Sequence, residues 1–95
     1  MAAYVIAEID VTNPERYEDY KRLAPAAIAA QGGKYLVRGG ASELLEGERQ
    51  PSRTVILEFP SLDHARRFYR SELYEAAKRA RAGAARFNML LVEGL

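Results

Sequence analysis

The chain has no cysteine and no tryptophan, and it has a single histidine among its 95 residues. The absence of cysteine excludes disulfide bonds, thiolate nucleophiles and cysteine metal ligands. A single histidine does not make a catalytic triad or a multi-histidine metal centre, so zinc and haem sites are poorly supported, although an all-carboxylate metal site stays open. We therefore expect no metal and no cofactor.

Charge of one sign and long apolar runs are also scarce. Fourteen basic and 13 acidic residues leave a net charge of +1, which is too small to attract a phosphate backbone or an anionic membrane. No run approaches the ~20 apolar residues of a membrane span, and residues 1–11 lack an export leader. We expect no nucleic-acid or membrane partner and a cytoplasmic location.

The length predicts one domain, covering residues 1–95. Alternation of apolar with polar residues predicts its first strand over Ala3–Val11, and the same pattern predicts strands over 34–38, 53–59 and 86–93. Residues 43–46 are interpreted as a continuation of the second strand after the break at Gly39-Gly40.

Two segments have helical periodicity. Asn13 and Pro14 predict the start of a first helix, which Gly32-Gly33 ends and Pro25 is expected to kink. Ser61 predicts the start of a second helix that runs through Arg81, with a break near Ser71. The chain therefore reads strand, helix, strand, strand, helix, strand.

This βαββαβ order predicts an α+β ferredoxin-like plait, a four-stranded antiparallel sheet with two helices on one face. The other face carries Tyr4, Ile6 and Ile56 beside Glu8 and Glu58, a mixture typical of neither core nor ordinary surface. Two such faces packed across a two-fold axis would cover it, which predicts a homodimer. A monomer with some exposed apolar residues is the alternative.

Several motifs occur together over the whole chain. In order they are GGKYLVRGG at 32–40, LEG at 45–47, ILEFPS at 56–61 and FYRSELY at 68–74. In this order the motifs resemble domain-of-unknown-function family 1330, of the dimeric α+β barrel superfamily. The resemblance implies the same plait and a two-sheet barrel dimer, but no established activity and no agreed catalytic residues.

Charged residues on the sheet give one candidate site. Glu8 and Glu58 share an alternation class on neighbouring strands, and Arg38 is expected to approach Glu58 from the second strand. These three are the candidate catalytic residues, because a carboxylate pair in low dielectric serves as general acid or base and an arginine orients an anionic substrate. An ion-pair network at a dimer interface or a solvated sheet face is the alternative.

The second predicted helix gives another candidate site. Tyr69, Tyr74 and Arg81 are candidate ligand-binding residues in a cleft between helices and sheet, with core packing as the alternative role of the tyrosines. Asn88 joins them, since a polar side chain within an apolar run needs a hydrogen-bond partner.

Three functions remain open on these observations. The first is a homodimeric small-molecule-binding domain, in which the chain pairs with itself and takes a small ligand. The second is a cofactor-independent enzyme of the isomerase or oxygenase type, by analogy with other dimeric barrels. The third is a purely structural dimer module.

Overall fold

The computed structural model describes residues 1–95. Its four strands form one antiparallel sheet in the order β2-β3-β1-β4. With three helices, this is the predicted ferredoxin-like α+β fold. The elements, in chain order, are β1 (Ala3–Val11), α1 (Pro14–Ala30), β2 (Lys34–Arg38), β3 (Arg53–Phe59), α2 (Leu62–Arg70), α3 (Glu72–Arg81) and β4 (Ala85–Glu93).

The second helical segment is divided into α2 and α3 by Ser71. The Ser71 hydroxyl donates to the Phe68 carbonyl at 2.7 Å and accepts from the Tyr74 backbone N–H at 3.1 Å. One side chain thus satisfies a carbonyl at the end of α2 and an N–H at the start of α3. The predicted break is confirmed, and α1 continues through Pro25. No helix combines the length and the apolar character that a membrane crossing requires.

The connection between β2 and β3 differs from the prediction. Residues 43–46 form no strand, and all of residues 39–50 are exposed. Their side chains reach no core against which a strand could pack, so the interpretation of this segment as a continued strand was wrong. The predicted bounds of β1, β2 and β3 are confirmed, and β4 begins one residue earlier than predicted.

The sheet has two faces of different character, which we call the helix face and the open face. Odd-numbered residues of β1 and β4 point to the helix face, and even-numbered ones point to the open face. The helices cover the helix face and enclose an apolar core that contains no buried charged residue. Its largest fully buried side chains are Ile9, Phe59, Phe68 and Tyr74.

Candidate functional site

A cavity of about 450 Å³ lies at the β4 edge of the helix face, between α2, the end of α3 and β4, and Leu90 of the open face also borders it. This volume lies within the range of small-molecule sites, and eight of the eleven residues that line it are hydrophobic. We call it the Arg81 cavity. Its apolar wall is formed chiefly by Val5, Ala65, Phe68, Phe87, Met89 and Leu91.

Arg81 is the charged side chain that reaches deepest into this wall. Its guanidinium carbon lies 3.8 Å from the centroid of the Phe87 ring and 5.7 Å from that of Tyr20. The Arg81 Nε is buried and has no hydrogen-bond partner, and no carboxylate forms an ion pair with this residue. A guanidinium stacked on rings is held in place, but its unsatisfied N–H still needs an acceptor.

Two tyrosine hydroxyls form a buried pair behind the cavity wall. The oxygens of Tyr20 and Tyr74 lie 2.8 Å apart, and the Tyr74 hydroxyl donates to the Met89 sulfur at 3.7 Å. Because Tyr74 has one proton, Tyr20 is the donor within the pair. Burial, together with the neighbouring Tyr74, raises the pKa of Tyr20 far above its ordinary value. These hydrogen bonds therefore hold the Tyr20 and Tyr74 rings in place on the core side of the cavity wall.

The predicted ligand-binding residues are only partly brought together. Arg81 and Tyr69 line the cavity, and Tyr69 is 43% exposed at its rim with the Lys78 ammonium 4.0 Å from its ring centroid. Tyr74 is fully buried behind the wall, where it packs against the Tyr69 ring. Asn88 lies on the opposite side of the sheet and does not reach the cavity.

The open face holds a second polar group, centred on Glu8. The Asn88 side-chain amide donates to a Glu8 carboxylate oxygen at 3.1 Å, and an Arg49 guanidinium N–H donates to the same oxygen at 3.2 Å. Arg49 comes from the exposed connection between β2 and β3, and sequence reasoning missed it because no periodicity places that connection. Asn88 thus finds its partner in a side chain of the neighbouring strand.

The structure does not form the predicted carboxylate pair. Glu58 is opposite Tyr4 in the sheet, whereas Glu8 is opposite Thr54, four residues further along. A separation of four residues along a strand corresponds to about 13 Å, which is too far for the two negative charges to interact strongly. Glu58 instead forms an ion pair with Lys34 at 3.1 Å.

Arg38 is not near Glu58 either, because β2 contains a bulge. The pairing of β2 with β3 shifts by one residue between Tyr35 and Val37, so that Arg38 lies opposite Val55 and points to the helix face. There its guanidinium carbon lies 4.3 Å from the centroid of the Tyr35 ring. Without the bulge, simple alternation would have placed Arg38 on the open face, as the sequence predicted.

No group of three histidine, cysteine, aspartate or glutamate side chains is positioned to hold a metal ion. His64, the one histidine, lies in the first turn of α2, where its Nδ1 is 2.7 Å from the hydroxyl of the capping Ser61. This contact with Ser61 gives His64 a structural role in the N-terminal cap of α2.

Known structures of the same fold come from several bacteria. RPA0582 from Rhodopseudomonas palustris, a protein of unknown function, is 21% identical, with a TM-score of 0.71 over 94% of this chain and 80% of that one. SnoaB from Streptomyces nogalater, a cofactor-independent oxygenase, is 15% identical, with a TM-score of 0.66 over 99% of this chain and 93% of that one.

An antibiotic biosynthesis monooxygenase-like protein from Nitrosomonas europaea is 14% identical, with a TM-score of 0.62 over 100% of this chain and 99% of that one. At these identities the similarity shows the fold alone. No curated protein matches the sequence. The family model for the domain of unknown function DUF1330 matches residues 2–95, so the chain belongs to the DUF1330 family.

Proposed function

We propose that this protein is a homodimeric domain that binds a small apolar anion with a flat ring in the Arg81 cavity. The observation that carries the proposal is the Arg81 guanidinium, which forms no ion pair and stacks on the Phe87 ring at the wall of a cavity of about 450 Å³. A ring that fills the apolar part would bring its acidic group to this guanidinium, forming a charge-assisted hydrogen bond.

The charges around the cavity favour an anion over a neutral ligand. Arg66, Arg70 and Arg81 line the cavity, and no acidic side chain does. Arg66 pairs with Asp63 at 3.4 Å, an exposed contact that contributes little. The positive charge of Arg81 lies deeper, against rings, where water screens it less. An acidic group therefore finds its most favourable position beside Arg81.

Calorimetric titration with 2-naphthoate tests this proposal. We expect one naphthoate to bind per chain, and Arg81→Met to weaken binding about tenfold or more, since a hydrogen bond to a charged group is lost. The neutral 2-naphthamide should bind correspondingly less tightly. Arg79→Met is the matched control, because Arg79 is exposed on the same helix and does not line the cavity.

Equal binding by Arg81→Met and the unsubstituted protein would contradict the proposal. The same holds for equal binding of the amide and the acid. If neither compound binds at any attainable concentration, the purely structural dimer module becomes the better interpretation.

The dimer part of the proposal rests on the open face. Leu90 is 58% exposed on this face, where it lies opposite Ile6, and Ile6 in turn lies opposite Ile56. This apolar row crosses β4, β1 and β3, with the Glu8 group beside it. A second copy related by two-fold symmetry would cover the row with an identical one.

Light scattering tests the dimer. We expect a mass of twice the 10.6 kDa chain at micromolar concentration, and a shift to the single-chain mass in Leu90→Asp, because a carboxylate would be buried without a partner. Leu73→Asp is the matched control, since Leu73 is 50% exposed on α3. A single-chain mass for the unsubstituted protein would disprove the dimer.

A second candidate function is that of a cofactor-independent oxygenase or isomerase. It is favoured by the similarity in fold to SnoaB and by a cavity in which Arg81 would stabilise a ring-borne anion. In the oxygenase reaction, an activated ring CH₂ would react with O₂ to give a ketone and water, so no further reductant is needed. Uptake of O₂ with anthrone, above its spontaneous oxidation and lost in Arg81→Met, would support this candidate.

A further inference from the structure

A smaller cavity of about 20 Å³ lies at the other end of the helix face, between α1, β2 and β3. We call it the Arg53 cleft. Its polar lining is formed by Tyr17, Tyr20, Lys21, Tyr35, Arg38 and Arg53. A space of this volume holds one group of about the size of a water molecule.

The two arginines of the cleft have no carboxylate partner. All six ion pairs of the protein involve other side chains, and Lys21 is paired with Glu18 at 2.9 Å. The Arg53 Nε is buried without a hydrogen-bond partner, as is the Arg81 Nε in the larger cavity, and these are the two buried side-chain atoms so affected. Because each Nε is closed to solvent, a bound acceptor would meet the terminal N–H groups of the same guanidinium.

Both guanidinium groups are held in place by their surroundings. The guanidinium carbon of Arg53 lies 5.8 Å from the centroid of the Tyr17 ring, and that of Arg38 lies 4.3 Å from that of Tyr35. The backbone of Gly39 also comes so close to Arg53 that a Cβ at Gly39 would overlap the guanidinium group. Gly39 also has a φ of +73°, and its N–H donates to the Thr54 carbonyl at 2.9 Å.

We propose that the Arg53 cleft is a second binding site, which takes a single planar carboxylate group. Two ring-stacked guanidinium groups present N–H donors, in the fork geometry that matches the two oxygens of a carboxylate. The volume admits one oxygen between the residues that line the cleft, and the second oxygen would lie at its mouth, where Arg38 is exposed. A water molecule in this place would leave two positive charges without a counterion, which favours an anion.

The tyrosine hydroxyls of the cleft are neutral hydrogen-bond donors, which favours an anion there. Burial raises the pKa of both Tyr17 and Tyr35, and the nearby arginines oppose this rise only in part. Both hydroxyls stay protonated at neutral pH and add no negative charge that would repel a carboxylate.

Nuclear magnetic resonance of the arginine Nε–Hε groups tests this site with formate as the probe. At constant ionic strength, formate should shift the Arg53 signal in a saturable way, whereas chloride should not. Arg38→Met should weaken the formate affinity about tenfold, because one charged donor is lost. Arg22→Met is the matched control, since Arg22 is an exposed residue of α1 whose guanidinium pairs with Asp19.

A linear shift of equal size with formate and chloride would overturn the proposal and assign the cleft to water. A saturable shift unchanged by Arg38→Met would overturn it too, since binding would not involve the pair of guanidinium groups. The Arg81 signal in the same spectra reports on the larger cavity separately. Titration with 2-naphthoate should move the Arg81 signal and leave that of Arg53 in place, because the ring exceeds the cleft.

Discussion

The Arg81 cavity and the Arg53 cleft are built from similar parts but differ more than twentyfold in volume, about 450 Å³ against about 20 Å³. Each has an arginine without a carboxylate partner, stacked near an aromatic ring, with a buried and unsatisfied Nε. Both are also lined by Met89. The charge is thus alike in the two sites, and the apolar surface beside it differs.

This difference shows what selects a ligand in each place. A guanidinium alone recognises an acidic group, whatever the rest of the molecule is. The apolar wall of the Arg81 cavity adds the burial of a ring, whereas the Arg53 cleft has room for the acidic group only. Size discrimination between the two sites therefore depends on the side chains that keep them apart.

The largest effect on this comparison is expected from Met89→Ala. Removal of the side chain shared by both cavities should lower the free energy of unfolding by about 2–3 kcal/mol, through lost burial and a residual void. It should also join the two spaces, so that 2-naphthoate shifts the Nε signals of both Arg53 and Arg81. Urea denaturation and the same spectra measure the two effects.

Met89→Leu serves as the control, because a swap of similar volume should cost less than about 1.5 kcal/mol and keep the sites separate. If Met89→Ala left naphthoate confined to the Arg81 signal, Met89 would not be the partition between the sites.

The second effect concerns the Arg53 cleft alone. Gly39→Ala should destabilise the protein by about 1–2 kcal/mol, because a residue with a Cβ is strained at the φ of +73°. The new methyl group should also displace the Arg53 guanidinium and so weaken formate binding, with no change in naphthoate binding. Denaturation and titration with each probe provide the measurement.

Gly40→Ala is a closely matched control for this change. A Cβ at Gly40 meets no atom within 4 Å, and Gly40 has no positive φ. Its stability and formate affinity should equal those of the unsubstituted protein. If the Gly39 and Gly40 variants had the same stability and the same formate affinity, Gly39 would not be the residue that holds Arg53 in place.

The third effect concerns Tyr20, which lines the Arg53 cleft and lies near Arg81. The pKa of Tyr20 is higher in the folded protein than the unfolded value of 10.0. The contribution of the protonated hydroxyl to the free energy of unfolding is therefore fully present below pH 10.0 and is lost as the pH rises above 10.0. In Tyr20→Phe the decrease above pH 10.0 should be smaller, by up to about 1.4 kcal/mol per pH unit. Denaturant titrations between neutral and alkaline pH measure it.

The neutral-pH stability of Tyr20→Phe is the baseline for this comparison, since that variant also lacks the hydroxyl pair with Tyr74. If the free energy of unfolding decreased with the same slope above pH 10.0 in both proteins, Tyr20 would not be the cause of that decrease.

Most of the fold could be predicted from the sequence because strand alternation and helix caps are local signals. The cap residues Asn13, Ser61 and Ser71 each accept a backbone N–H in the structure, as their positions predicted. The connection at 39–52 could not be predicted in the same way, since whether Leu44 and Leu45 pack depends on what the rest of the chain brings near them.

The candidate site could be predicted only in part. Arg81 and Tyr69 were found because helical periodicity turns them toward the sheet. Arg38 was placed on the wrong face, because a one-residue bulge reverses alternation and has no marker in the run KYLVR. Asn88 was grouped with the tyrosines because the other residues of β4 are largely apolar at both odd and even positions. Their pattern therefore does not indicate to which face of the sheet Asn88 points.

The cap shared at Ser71 has a consequence for how a ligand enters. Because Ser71 is extended, α2 is a nine-residue helix whose backbone hydrogen bonds do not continue into α3. A helix this short does not persist on its own, and burial of Ala65 and Phe68 holds it against the sheet. Transient release of α2 would open the Arg81 cavity while α1, α3 and the sheet stay packed, so its amide hydrogens should exchange with solvent sooner than theirs.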